Sequence, residues 1–570
     1  MRLFPGSFSV RRILAGSLLL LLGGLGVGAA TPPDDVRTHL RLRIEAARAG
    51  STGAMTVAGE QVLARPAVAR YYQAAGFDPA WTGPDGPTPQ ADSLLAVLRD
   101  APLDGLRADD YHAATIDSLA RHLRAQRRAG SSMDAQVLAD FELLCTDAFL
   151  LYGAHLVGGR VDPVQVVPTW NLDRQQQNLV AHLRTALQGG TIRATLWALR
   201  PPQPEYAAFR RALARYRAHA DEGGWPTVPE GPALQEGARD ERVPRLRRRL
   251  RVTGDLTAGR PPDPRLFDAG LRRAVARFQE RHGLAIDGVV GPATRVALNV
   301  PVADRLQQIE VNLERWRWMP RSLGDPHVLV NVADFWLRVV EGDRHALQMR
   351  VVVGTQYRQT PIFSDEISYL VFNPYWHVPR RIAVEDKLPD FRRNPALVSR
   401  LGFEVLDGWG ADATAVDPAT IAWDRLSTSH FPYRLRQKPG PTNALGQVKF
   451  MLPNSYNVYL HDTPTRSLFD ETERPFSSGC IRVEHPVDLA LYLLGPNGGW
   501  TRERIDEVLT GDTERAVVLR RKVPVHLLYW TAWMEDADTV HFRKDVYGRD
   551  GAVARALAAP VRPSALSTIR

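Results

Sequence analysis

Apolar positions along the chain change their period twice. From about Thr31 to Ala220 they recur at helical spacing. Leu94, Leu95, Val97 and Leu98 begin one helix, and Val137, Phe141, Leu144, Cys145 and Ala148 form the stripe of the most apolar one. The Gly/Pro-rich stretch from Asp221 to Pro232 breaks that pattern and marks a domain boundary. Between Arg242 and Val300 a second helical unit follows, with Phe267, Leu271, Ala274, Val275 and Phe278 on one face. There Asp287-Gly288 forms a turn, and Gly291-Pro292 opens the next helix with proline near its first position. From His327 the period is two: Val328, Val330 and Val332, then Leu337 and Val339, the turn Glu341-Gly342-Asp343, and Leu347, Met349, Val351 and Val353. This predicts a hairpin-rich β-domain to at least Leu494, carrying one short helix from Pro486 to Leu494. Asp386 to Phe450 has no clear period and is broken by Gly408, Gly410 and Gly440, which reads as a long lid. Val523 to Trp533 is a further strand-like run, and the Ala/Arg/Pro-rich end reads as frayed.

The expected layout is a leader over residues 1–30, a helical scaffold over 31–222, a linker over 223–241 and a small three-helix module over 242–300. A mostly-β domain over 326–496 follows, with a capping insertion at about 386–450, then an extension over 497–550 packing on it and a tail over 551–570. A chain of 570 residues is too long for one core, which agrees with several domains.

Composition adds an address. Arg2, Arg11 and Arg12 precede an uncharged run from Ile13 to Val27 that ends in Gly28-Ala29-Ala30, the layout of a secretory signal cleaved after Ala30. The apolar run is shorter than the roughly 20 residues of a spanning helix, and an uncleaved inner-membrane anchor is the alternative. Losing the leader takes the net charge from +9 to +6. A basic exported protein suits an anionic polymer or envelope surface, and export together with the lack of a nucleic-acid motif argues against nucleic acid. Cys145 and Cys480 are the two cysteines; an oxidising compartment raises a disulfide between them, but Cys145 falls on the apolar helical stripe and reads as core.

The chemistry concentrates in Tyr459-Leu460-His461-Asp462 and Phe476-Ser477-Ser478-Gly479-Cys480-Ile481-Arg482-Val483. A cysteine nucleophile needs a base, oxyanion donors and a tight backbone, and this stretch offers each. His461 is the base at a strand end, and Gly479 allows a positive-φ turn on which the N–H groups of Ser478, Gly479 and Cys480 converge. Arg482 lies on the same face as Cys480, either holding a substrate carboxylate or bracing the loop. Asp462, as the strand neighbour, points away from His461 and is a poor orienting group. Trp376, between Pro374 and Pro379, and Tyr459, on the face of His461, are read as groove residues with core packing as the plain alternative; Asn443, at the end of the lid stretch, is placed at the substrate as well. A zinc site from Cys480, His461 and His485 lacks paired-ligand spacing, and no cofactor motif is present.

At these residues the sequence resembles the L,D-transpeptidases, cysteine acyltransferases that cross-link bacterial peptidoglycan, whose signature is a histidine followed by Ser-(His or Ser)-Gly-Cys with Arg or Asn two places on. Here it reads His461 and Ser477-Ser478-Gly479-Cys480-Ile481-Arg482, with Ser478 where many members carry a second histidine. Trp81-Thr82-Gly83 and Gly105 to Tyr111 resemble the large multi-domain periplasmic branch, and residues 283–294 resemble its peptidoglycan-binding domain. The resemblance implies a helical N-terminal scaffold, a three-helix peptidoglycan-binding domain and a mostly-β catalytic domain with a capping insertion. It implies a tetrapeptide stem as acyl donor, a diamino-acid amine as acceptor and no cofactor. A hydrolase using the same thioester and a non-catalytic wall-binding scaffold are the competing functions.

Overall fold

The computed structural model describes residues 32–561 apart from 50–53, 168–169, 172–174, 258, 260, 409 and 411. The leader expected over residues 1–30 lies outside the described residues. Among the described residues no helix is long and apolar enough to cross a membrane.

The scaffold is built around helix α1, Ala135–Gly158. Asp134 caps its start by accepting the Gln136 and Val137 N–H groups, and its residues from Phe141 onward are buried all round, as expected of a central helix. Cys145 is fully buried there and both cysteines are free. Two buried carboxylates on α1 are satisfied by neighbouring backbone: Glu142 accepts the N–H groups of Ala80, Trp81 and Thr82, and Asp147 those of Leu63 and Ala64.

Helix α2, Pro204–Asp221, closes the scaffold and packs on α3, Val302–Arg317, which leads into the β-domain. Asp104 ties this junction: Arg200 and Arg210 pair with its carboxylate, Tyr152 and Tyr206 donate to it, and Arg317 donates to its carbonyl. A Cβ on Gly159 would lie 2.5 Å from the Trp318 indole nitrogen, so the end of α1 and the end of α3 meet without room for a side chain.

The small module has helices Val243–Val252, Ala269–Arg281 and Pro292–Leu298 around Leu246, Leu250, Phe267, Leu271 and Phe278. The linker expected over 223–241 is instead partly folded into it. Val228 and Leu234 are in its core, and Leu234 pairs with Val290.

In the β-domain the strands are β1 (His327–Asn331), β2 (Trp336–Glu341), β3 (Arg344–Gly354), β4 (Ile362–Phe372), β5 (Val448–Met451), β6 (Leu460–His461), β7 (Ile481–Val483) and β8 (Arg515–Leu528). Hydrogen bonds run in the order β5-β6-β7-β3-β2-β1-β8-β4, and β4 pairs back to β5, closing the ring. The region expected as an extension that adds strands to the sheet supplies β8, which pairs between β1 and β4. Trp170–Asn171 of the scaffold adds a parallel strand beside β4. The frayed tail expected after residue 551 is helical at its start, as α5 spans Asp550–Ala558 following α4, Pro486–Leu494. Arg160 of the scaffold pairs with Asp110 and donates to the carbonyls of Ala556 and Ala559, clasping α5.

The lid is a subdomain with its own core of Trp376, Phe391, Val398, Phe403, Trp423 and Leu435. Its sheet runs in the order Trp376–His377, Tyr433–Gln437, Phe403–Asp407, Ala415–Val416. It therefore starts earlier than the expected residue 386, while Val448–Met451 belongs to the catalytic ring as β5.

Candidate active site

Register brings the chemistry together. Parallel pairing of β6 and β7 sets Leu460 beside Ile481 and His461 beside Arg482, and antiparallel pairing of β5 sets Lys449 on the other side of His461. Leu460, Ile481 and Phe450 point into the ring's core. Alternation then puts Lys449, Tyr459, His461, Cys480 and Arg482 together on the opposite face, beneath the lid. The Tyr459 ring packs against the lid core and lies 5.7 Å from the His461 ring in an edge-on arrangement.

His461 is buried, and its Nδ1 lies 2.5 Å from the Asp462 carbonyl oxygen. A carbonyl only accepts, so Nδ1 carries the proton and Nε2 keeps the lone pair of a base. The orienting group is thus the backbone of the next residue. The Asp462 carboxylate is turned to the other side, where it accepts the Gln447 N–H at 2.9 Å and pairs with Arg466. Burial, with Arg482 next, lowers the His461 pKa from 6.5 to about 3. Cys480 is half-buried, its Sγ lies 3.9 Å from the Asn457 carbonyl, and burial pushes its pKa up. The resting pair is therefore a neutral thiol and a neutral imidazole. Their side chains leave the same face one step apart along adjacent strands, with no direct hydrogen bond between them in this state.

A sign follows for the pH profile. Protonated imidazole cannot accept the thiol proton, and that form is populated only below about pH 3, so the acid limb of kcat/KM moves down from the ordinary imidazole range. The expected profile is flat from about pH 8 to about pH 5. An acid limb with a midpoint between 6 and 7 contradicts the buried neutral imidazole.

Gly479 has φ +116, the turn expected of it, and its carbonyl accepts from Thr360 Oγ1 at 2.9 Å. The expectation that its N–H serves an oxyanion needs correction, because that N–H is donated to Ser477 Oγ at 3.1 Å. Ser477 in turn donates to the Cys480 carbonyl at 2.5 Å. The N–H groups of Ser478 and Cys480 have no acceptor among the described residues.

The loop after β3 braces this turn. A Cβ on Gly354 would lie 2.1 Å from the Arg358 carbonyl, so the chain folds back tightly here. Tyr547 accepts from the Thr360 N–H and donates to the Gly354 carbonyl, and Arg549 bonds Gln359, so the C-terminal segment supports the loop from behind. Arg358 then reaches forward. It donates to Ser478 Oγ at 2.8 Å and pairs with Asp386 through both terminal nitrogens and with Glu385, joining the catalytic turn to the base of the lid. Because these carboxylates are partly exposed, Arg358→Ala is expected to cost only about 1 kcal/mol of stability. It is expected to speed limited proteolysis within residues 380–400 and to lower kcat/KM about 10-fold through the displaced turn. Unchanged proteolysis and activity contradict the bridge.

Two expected substrate residues are placed elsewhere. Trp376 is only 7% exposed and belongs to the lid core, against which Tyr459 packs. Asn443 is fully buried and spends its amide on the carbonyls of Pro374 and Lys438 and the N–H of Leu445, pinning the end of the lid to the sheet. Arg482 is half-buried with no hydrogen-bond or ion-pair partner among the described residues, and its Nε is buried. Such a cation is ready for an anionic ligand. His485 lies 3.7 Å from Glu484 at the start of α4, in a separate cleft of about 890 Å³. Sequence reasoning missed Lys449 and Arg358, whose roles depend on strand register and on a contact 120 residues apart.

Residues 325–518 match the family model of the L,D-transpeptidase catalytic domain. Residues 66–213 match a scaffold domain, and residues 239–298 match a "Putative peptidoglycan binding domain". A Haemophilus influenzae protein named "Putative L,D-transpeptidase" is 39% identical over 246 residues, 43% of this chain and 48% of that protein. The Mycobacterium tuberculosis protein named "N-acetylmuramoyl-L-alanine amidase CwlM" is 42% identical over 80 residues, 13% of this chain and 20% of that one. The chain thus spans about half the length of the first relative and a fifth of the second. The crystal structure of an L,D-transpeptidase from Xylanimonas cellulosilytica aligns over 52% of this chain and 99% of its own, at 18% identity and a TM-score of 0.18.

Proposed function

Because this chain carries an L,D-transpeptidase catalytic domain behind a scaffold domain and a peptidoglycan-binding domain, we propose that it is a periplasmic enzyme that cross-links peptidoglycan stems through a Cys480 thioester. The observation that carries this reading is the shared strand face on which His461, oriented by the Asp462 carbonyl, stands beside Cys480 and the unpaired Arg482.

Cys480 Sγ bonds to the carbonyl carbon between the third residue of a tetrapeptide stem, a diamino acid, and its terminal D-Ala. The thiol proton passes to His461 Nε2 and then to the D-Ala nitrogen as the C–N bond breaks. The N–H groups of Ser478 and Cys480 hold the oxyanion; losing one such donor typically costs about 10²-fold or more. The side-chain amine of a second stem's diamino acid then attacks the thioester carbonyl and gives its proton to His461, and the thiolate leaves and is reprotonated. The product is a 3→3 cross-link. The lid whose core packs on Tyr459 favours transfer over hydrolysis, because a cover over the thioester restricts competing water.

Incubation of the whole protein with disaccharide-tetrapeptides, read by mass spectrometry, tests this. Cross-linked dimers together with free D-Ala are the expected products. Tripeptide monomers alone would make the protein a hydrolase, and unchanged tetrapeptide would leave it a wall-binding scaffold.

A further inference from the structure

Lys449 is a third cation on the catalytic face, and nothing above gives it a task. Its strand position is fixed on both sides, opposite His461 on β6 and opposite Val371 on β4. The ammonium lies 4.0 Å from the centre of the Tyr459 ring, which holds it over the site by a cation–π contact. Tyr459 in turn interacts with Cys480, so ammonium, phenol ring and thiol form one layer.

Several buried guanidiniums of the fold have a carboxylate, Asp104 for Arg200, Asp255 for Arg281 and Glu314 for Arg317, whereas Arg249 and Arg474 are met by backbone carbonyls and an aromatic ring. Among the described residues neither Lys449 nor Arg482 has an ion-pair or hydrogen-bond partner. The charged and titratable groups that act on Lys449 are Cys480 and Glu514, with His461 and His377 also within range. Glu514 accepts the Tyr375 N–H at 2.8 Å and does not reach the ammonium. Two half-buried cations stand on either side of His461 in the strand register, neither neutralised by a carboxylate, and together they offer an anionic ligand charge-assisted contacts.

We propose that Lys449, with Arg482, seats the free carboxylate of the residue that leaves, making Lys449 a specificity-determining residue for stems that end one residue beyond the scissile carbonyl. That carboxylate is separated from the scissile carbon by only the leaving nitrogen and one Cα, so a cation in the nucleophile's own layer is the group able to reach it. A stem with one more residue presents a neutral peptide group at this place and leaves both cations unpaired, which disfavours it. The inference rests on the acyl-donor reading proposed above.

The test compares a tetrapeptide stem with the same peptide ending in a primary amide, on the whole protein, by the rate of Cys480 acylation under kcat/KM conditions. The wild type is expected to prefer the free acid about 10- to 100-fold, the range of a charge-assisted hydrogen bond. In Lys449→Met, which keeps the apolar stem over Tyr459, that preference falls by most of this factor, and in Lys449→Arg it is retained. A ratio of rates is insensitive to the fraction of folded protein, and Lys449→Gln serves if the methionine variant does not fold. A preference unchanged in the neutral variants overturns the inference even if overall activity drops, since that pattern means the ammonium serves the thiolate or the fold. No acylation of either peptide by the wild type overturns the donor reading itself, and this inference with it.

Discussion

Replacing Cys480 by alanine is expected to lower kcat/KM for acyl transfer by about 10⁴-fold or more, the scale seen when a covalent nucleophile is removed. The fold should hardly notice. Cys480 is half-buried, lies outside the apolar cores, and its sulfur makes weak contacts, 3.9 Å from the Asn457 carbonyl and with Tyr459. Alanine at Cys145 is the internal contrast. That thiol is fully buried in the scaffold core and has no route to the catalytic face, so its loss is expected to cost about 1 kcal/mol of stability with activity kept. Measuring kcat/KM and Tm on both variants separates the roles. Activity surviving in Cys480→Ala contradicts the thioester.

The second large effect is expected at His461. Glutamine there preserves a donor toward the Asp462 carbonyl but supplies no basic nitrogen, so kcat/KM should fall by about 10²- to 10⁴-fold, the usual contribution of a positioned base. The residual rate should then climb with pH, because a thiol whose ionisation burial pushes upward must lose its proton to water without help. A variant within about 3-fold of wild type, with the same pH profile, contradicts a base at this position.

Much of this was legible in the sequence because the signals are local. The change to period two at His327 located the β-domain, and Gly479 beside Cys480 announced a positive-φ turn that the structure contains. The stripe through Cys145 sufficed to place it in a core. What escaped depends on atoms that no spacing rule reaches. Ser477 takes the Gly479 N–H, so one expected oxyanion donor is already spent; only the side-chain rotamer reveals this. His461 is oriented by a backbone carbonyl, and the true statement that the Asp462 side chain points away concealed it. Trp376 and Asn443 looked like groove residues because aromatic and amide side chains near glycine and proline suit ligands, yet both are consumed by the lid's own packing. Lys449 and Arg358 gained their places through β5–β6 pairing and a contact across the lid base, neither of which leaves a mark in the local sequence.

The central claim, that His461 and Cys480 work as a base and nucleophile on one strand face, is tested most directly by the intact mass of the protein mixed with a tetrapeptide stem and quenched in acid. The account predicts a transient adduct equal to the stem less its terminal D-Ala, carried on the fragment that contains Cys480 and slow to form in His461→Gln. An adduct on another residue, or the same products released by Cys480→Ala, contradicts it.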